Sequence, residues 1–274
     1  MISIHSNTSA LKVQGNLAKT SSSFASSLEK LSSGFRINSA ADDAAGLAVG
    51  KQMNSDVKAM TQAQRNTNDA VSVIQTAEGA MAQQTDILTR MKELSVQANS
   101  GALSTAQLGN IDQEFQALIL EFDDIATSTE FNGNALLDGS ANMDIQVGKD
   151  AADTVNITIN DMQAAGVGAG GTDLTALDVT TSANAAAAQA DIETALNDVL
   201  AERATLGGLQ NRMEAKIEAI GDRVTNTSAS LGRIMDLDVA KEMASFTKSQ
   251  VLQQAGSAML AQANSRPQAA LALF

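Results

Sequence analysis

The chain has 274 residues, 44% of them apolar, with no Cys, Trp or Tyr, one Pro, one His and 3% aromatics. The missing thiols exclude a disulfide scaffold, a thiol nucleophile, a Cys-ligated zinc or iron–sulfur site and thiol redox control, and a Ser-His-Asp triad has only His5 to draw on. The net charge of −13 is unevenly placed: residues 1–46 carry four cations against three acids, residues 232–274 the same, and the middle holds about −15. With no basic stripe, an acidic middle argues against nucleic acid, because phosphates repel it.

In chain order, the first predicted element is a helix with a heptad seam through Ala10, Gln14, Leu17, Ser21, Phe24, Leu28, Leu31 and Phe35. A second seam runs from Met60 through Ile74, Met81, Leu88 and Met91 to Ala98, a helix of roughly 57 Å at about 1.5 Å per residue. Asn99-Ser100-Gly101 stops it, and Ser104 is placed to cap the next helix, whose seam is Leu108, Ile111, Phe115, Leu118, Phe122 and Ile125. Met143–Val147 and Val155–Ile159 alternate apolar and polar residues, which predicts a β-hairpin at about 143–160. Residues 165–185 are small, polar and Gly-rich, and predict a short exposed tip.

A last long seam runs from Ile192 through Val199, Leu206, Met213 and Ile220 to Ile234. Gly207-Gly208 within it predicts a close helix approach or a local bend. The C-terminal segment offers Met235, Val239, Met243, Phe246, Leu252, Ala255, Met259 and Ala263 as its apolar face. The fold expected is mainly α: an elongated antiparallel helical bundle or coiled coil with a small β-hairpin near the tip. Residues 1–46 and 232–274 form one discontinuous terminal domain, and residues 47–231 a rod-like helical domain. The two terminal helices have narrow stripes, so the ends are expected to be weakly ordered alone and to order against partners.

Single residues add little chemistry. Asp42-Asp43 reads as a helix start or solvated pair, and Asp123-Asp124 as an acidic helix face. His5 alone does not make a metal site. No cationic and apolar leader is visible at the start, and no run of eighteen apolar residues spans a membrane.

The segment Leu31-Ser-Ser-Gly-Phe-Arg-Ile-Asn-Ser-Ala-Ala-Asp-Asp-Ala-Ala-Gly46 resembles the N-terminal signature of bacterial flagellin. Arg65–Ala80, Glu130–Gly133, Ile145–Gly148, Leu209–Arg212 and Met259–Asn264 resemble five further blocks, in family order. The resemblance implies a short flagellin without the large outer domains, not an enzyme and using no cofactor. Such a protein polymerises into the extracellular flagellar filament for motility. A hook-filament junction protein of the same family is the alternative.

The resemblance also implies partners: further copies of the chain, hook-associated and cap proteins, a flagellin export chaperone and the type III export apparatus, with no nucleic acid and no membrane insertion. Secretion would proceed without a cleaved signal peptide. Polymerisation seams are carried onto Leu17, Phe24, Leu28, Leu31, Phe35, Met235, Val239, Met243, Phe246 and Met259. A face for neighbouring subunits, or for a host flagellin-sensing Toll-like receptor, falls on Arg90, Leu94, Gln97 and Glu114.

Overall fold

A computed structural model describes residues 7–168 and 170–271, the last six of these by backbone alone; His5 lies outside the described residues. The elements are α1 (Thr8–Ser33), α2 (Ala44–Ala98), α3 (Thr105–Ser128), β1 (Glu130–Phe131), β2 (Asn134–Ala135), β3 (Asn142–Gln146), β4 (Thr154–Thr158), α4 (Ser182–Met235) and α5 (Val239–Leu271). The chain is mainly helical with two small antiparallel hairpins, and it forms two compact units. One joins residues up to Val57 with those from Thr225 onward; the other is Lys58–Val224.

In the Lys58–Val224 unit, α2, α3 and α4 bury their seams against one another. Ile74, Met81, Leu88 and Met91 meet Phe115 and Phe122 of α3 and Ile192, Val199, Leu206 and Met213 of α4. Lys92 pairs with Glu193 at 3.3 Å and Arg203 with Glu78 at 3.6 Å, so α2 and α4 run antiparallel. Three polar residues sit in the α2 seam. Thr67 and Ser95 donate back to their own helix at Ala63 O (2.7 Å) and Lys92 O (2.8 Å). Gln84 instead donates to Phe122 O at 3.2 Å and Met162 O at 2.9 Å, tying α2 to α3 and to the stretch after β4.

Ser104 caps α3 in a reciprocal pair with Gln107, as its position predicts. The α3 seam lies slightly over from the one expected: Ile119 and Ala126 are buried, whereas Leu118 only borders the core. The hairpin β3–β4 pairs Met143 with Ile157 and Ile145 with Val155, and buries Val155 and Ile157. The smaller hairpin β1–β2 turns on Asn132-Gly133, both at positive φ (52° and 79°), the two-residue turn that Asn-Gly favours.

Two expectations are corrected in this unit. Residues 165–185 do not form a loose exposed tip. Val167, Leu174, Val179 and Ala185 are fully buried, and α3 side chains serve their backbone: Asp112 accepts from Val179 N at 3.0 Å, and Gln116 donates to Leu177 O at 2.8 Å. Asp123 likewise accepts from Ala164 N at 2.9 Å, so it is more than part of an acidic face. The Gly207-Gly208 pair reflects no close approach among the described residues, since a Cβ at either position meets none of them within 4 Å.

In the other unit, α1 and α5 pair antiparallel. Asn7 caps α1 through its side-chain oxygen and donates to Ala263 O at 2.8 Å. Phe24 stacks on Phe246 with ring centroids 4.7 Å apart. Between α1 and α2, Asp42 accepts from Asn38 N, Ser39 N and Ser39 Oγ, and Asp43 accepts from Gly46 N at 2.8 Å, so both carboxylates organise the start of α2.

Candidate assembly surface and receptor-type helix face

The paired faces of α1 and α5 mix Val, Leu and Phe with small and polar residues. On α1 the more buried stripe runs through Ala10, Val13, Leu17, Thr20, Phe24, Ser27 and Leu31; on α5 it runs through Phe246, Ser249, Gln253, Gly256, Leu260 and Ala263. The α1 seam therefore keeps Leu17, Phe24 and Leu31 but takes the other flank between them. Gln14, Ser21 and Leu28 are exposed, as is Phe35 just beyond the helix. The reason is a degeneracy: spacings of four-then-three and three-then-four share every seventh residue and differ only in the one between.

The correction on α5 is larger. Of its expected apolar face only Phe246 and Ala263 turn towards α1, while Val239, Met243, Leu252 and Met259 are exposed, Met259 by 60%. Val251, which the apolar pattern did not single out, is exposed beside them. Met243, Ala244, Thr247, Lys248, Val251 and Leu252 line a shallow groove there. A helix apolar on two sides, with only one side covered, presents surface that water does not favour. Met235, at the end of α4, is buried in this unit.

On α2, Arg90 donates to Glu114 Oε1 on α3 from Nη2 (2.7 Å) and Nε (3.0 Å), and to Glu93 Oε2 from Nη1 (3.0 Å). Glu114, then Glu93, hold the guanidinium above its ordinary pKa. Arg90, Gln97 and Glu114 are exposed. Leu94 is not: it is 2% exposed and belongs to the core. The spacing from 90 to 94 to 97 does group these residues, but 94 also lies three residues after Met91 and four before Ala98, on the buried stripe of α2. Among the described residues no group of three His, Cys, Asp or Glu side chains could hold a metal ion.

The family profile described as the bacterial flagellin N-terminal helical region matches residues 4–142, and that of the C-terminal helical region matches residues 189–274. The chain belongs to the bacterial flagellin family. The flagellin of Bacillus subtilis is 41% identical to it, covering 99% of each chain. The crystal structure of Bacillus cereus flagellin aligns with 30% identity and a TM-score of 0.51, over 61% of this chain and 94% of that one. A putative flagellar hook-associated protein from Vibrio parahaemolyticus shares the fold, with a TM-score of 0.61 at 14% identity, over 71% of this chain and all of that one.

A full-length match to a flagellin makes the chain a structural subunit of the flagellar filament, and the hook-filament junction reading is not favoured. Its 274 residues fit a short flagellin without large outer domains. Flagellins homopolymerise into the extracellular filament, and no helix among the described residues is long and apolar enough to cross a membrane.

Proposed function

We propose that residues 1–46 and 232–274 are the part of this flagellin that assembles, and that the outer side of α5 is the surface a neighbouring copy covers. One observation carries this reading: α5 is apolar on two sides and α1 covers one of them. The exposed Val239, Met243 and Met259, with Leu28 and Phe35 from the other end, are the seam between copies. Leu17, Phe24, Leu31, Met235 and Phe246 hold each end pair together. Contacts between identical subunits that do not close generate a helical filament rather than a ring. The exposed stripes are buried on incorporation, and the ends gain their full order there.

Seeded polymerisation tests the reading. Val251→Asp with Met259→Asp places two charges on the outer side of α5 and should abolish elongation without loss of helical circular dichroism. Elongation at the parental rate would overturn it.

Arg90, Gln97 and Glu114 supply the polar face of a second contact, with Leu94 beneath them positioning Arg90's helix. That contact is with a neighbouring subunit in the polymer and, on free subunits, with a host flagellin-sensing Toll-like receptor. The chain acts without catalysis, leaves through the type III apparatus with an export chaperone and no cleaved signal, and meets hook-associated and cap proteins at the filament ends.

A further inference from the structure

The covered positions of α1 and α5 repeat every seven residues. That spacing lets one helix slide by seven residues, about 10.5 Å along its axis, with the same faces still opposed. Within the seam, the Phe24–Phe246 stack, Leu17 against the bare backbone of Gly256 and the Asn7 donor to Ala263 O mark the native register.

Further contacts tie the chain together where α1 ends and α5 begins. After α1, Gly34 at φ 75° turns the chain, and its N–H donates to Lys30 O. The next residues then lie against the break between α4 and α5. Phe35 and Asp236 form an antiparallel bridge. Arg36 N donates to Met235 O at 2.7 Å, and Leu237 N to Gly34 O at 3.0 Å. The Arg36 guanidinium reaches back to Ile234 O at 2.7 Å, a cation on the carbonyl end of α4. This clasp rests on the start of α2 through Met235. A Cβ on Gly50 would lie 2.6 Å from Met235 Sδ and 2.8 Å from its Cγ, so only a bare backbone leaves Met235 its place. Beside it Asn38, Leu47, Leu231 and Gly232 line a cavity of about 310 Å³.

We propose that this clasp is the register lock of the end pair, and that Met235 and Arg36 are positioning residues for filament assembly. With Met235 seated on Gly50 and Arg36 on the last carbonyls of α4, they place the exposed face of α5 at one fixed height. A neighbouring copy can match that face only in that register, because a slipped pair offers its apolar residues about 10.5 Å away. The proposal rests on the reading that the ends assemble, and the experiment separates the two.

The chain has no cysteine, so an introduced pair is the only thiol pair in the molecule. A Cβ on Gly256 would lie 3.9 Å from Leu17 Cβ, within disulfide range, so Leu17→Cys with Gly256→Cys reports the native register in the full-length monomer. Leu17→Cys with Ser249→Cys or Ala263→Cys reports a slip of one heptad either way. Gly50→Leu, a good helix former, wedges Met235 off its seat. It should reduce native cross-linking, raise slipped cross-linking and raise the critical concentration for seeded polymerisation about tenfold, or about 1.4 kcal/mol. Gly50→Leu with Met235→Ala exchanges the two volumes and should restore both readouts to within about twofold. Gly15→Leu, at an open position on α1, should leave both unchanged.

Native cross-linking in Gly50→Leu, no rescue by the exchanged pair, or a slipped register that still polymerises normally would each overturn the proposal. Polymerisation of a chain lacking 239–271 would instead overturn the reading of the ends, while the monomer cross-links still decide the lock.

Discussion

Leu94 and Gln97 lie three residues apart on one face of α2 as the sequence is read, yet only Leu94 is buried. Truncating each measures that difference. Leu94→Ala should destabilise the Lys58–Val224 unit by about 2–5 kcal/mol, and Gln97→Ala by less than about 0.5 kcal/mol, in urea unfolding. Equal losses would mean that Leu94 is not packed in the core. Gly207 and Gly208 invert the usual expectation for helix-interior glycines. With open space at each Cβ, Gly207→Ala and Gly208→Ala should each stabilise the isolated subunit by about 1 kcal/mol. A loss of thermal stability would show that these positions are sterically restricted after all.

At the scale of elements, several connecting turns share one device, an aspartate that accepts from residues two to six positions away. Asp138 is held below the ordinary carboxylate range chiefly by the Ser140 hydroxyl, Asp173 by the Thr175 hydroxyl, Asp178 by the Asn184 amide and Asp42 by the Ser39 backbone N–H. A lowered folded-state pKa means the unfolded chain binds more protons as pH falls. The stability these groups contribute is complete above the ordinary aspartate pKa and is lost as pH drops through the lowered values. Thermal unfolding midpoints should therefore be nearly level from about pH 7 to about pH 5 and fall below about pH 4. Asp178→Asn should make that fall shallower. An acid limb of unchanged steepness would remove Asp178 from the account.

The helices themselves were legible because their seams repeat over many turns, and the β3–β4 hairpin because its alternation is strict. The packing of residues 165–185 was not. Leu174 and Val179 are isolated apolar residues in a Gly- and Thr-rich stretch, and the backbone around them is held by Asp112, Gln116 and Asp123 of a helix far away in sequence. The β1–β2 turn did carry a local sign, Asn132-Gly133, but its strands are two residues each and leave no alternation to read.

For the molecule as a whole, charge and assembly pull apart. The chain carries −13, with about −15 of it between residues 47 and 231, so copies brought side by side in a filament repel through their middles. Raising ionic strength from about 0.01 M to about 0.15 M shortens the screening length from about 30 Å to about 8 Å. Seeded elongation, followed by light scattering, should speed up over that range. Slower elongation would mean that attractive charge pairs outweigh the repulsion. Deleting 239–271 should leave a folded Lys58–Val224 unit and remove polymerisation altogether.

The order of helices, their long seams, the hairpin at 143–160 and the flagellin signature are all properties of residues near one another in the chain, so the sequence by itself determined them. Tertiary structure decided the phase of the α1 seam, the side of α5 that α1 covers, and the burial of Leu94. The physical reason is the same in each case. Heptad spacing permits two flanks, α5 is apolar on two sides, and a residue at the edge of a stripe is buried only if a third helix arrives to cover it.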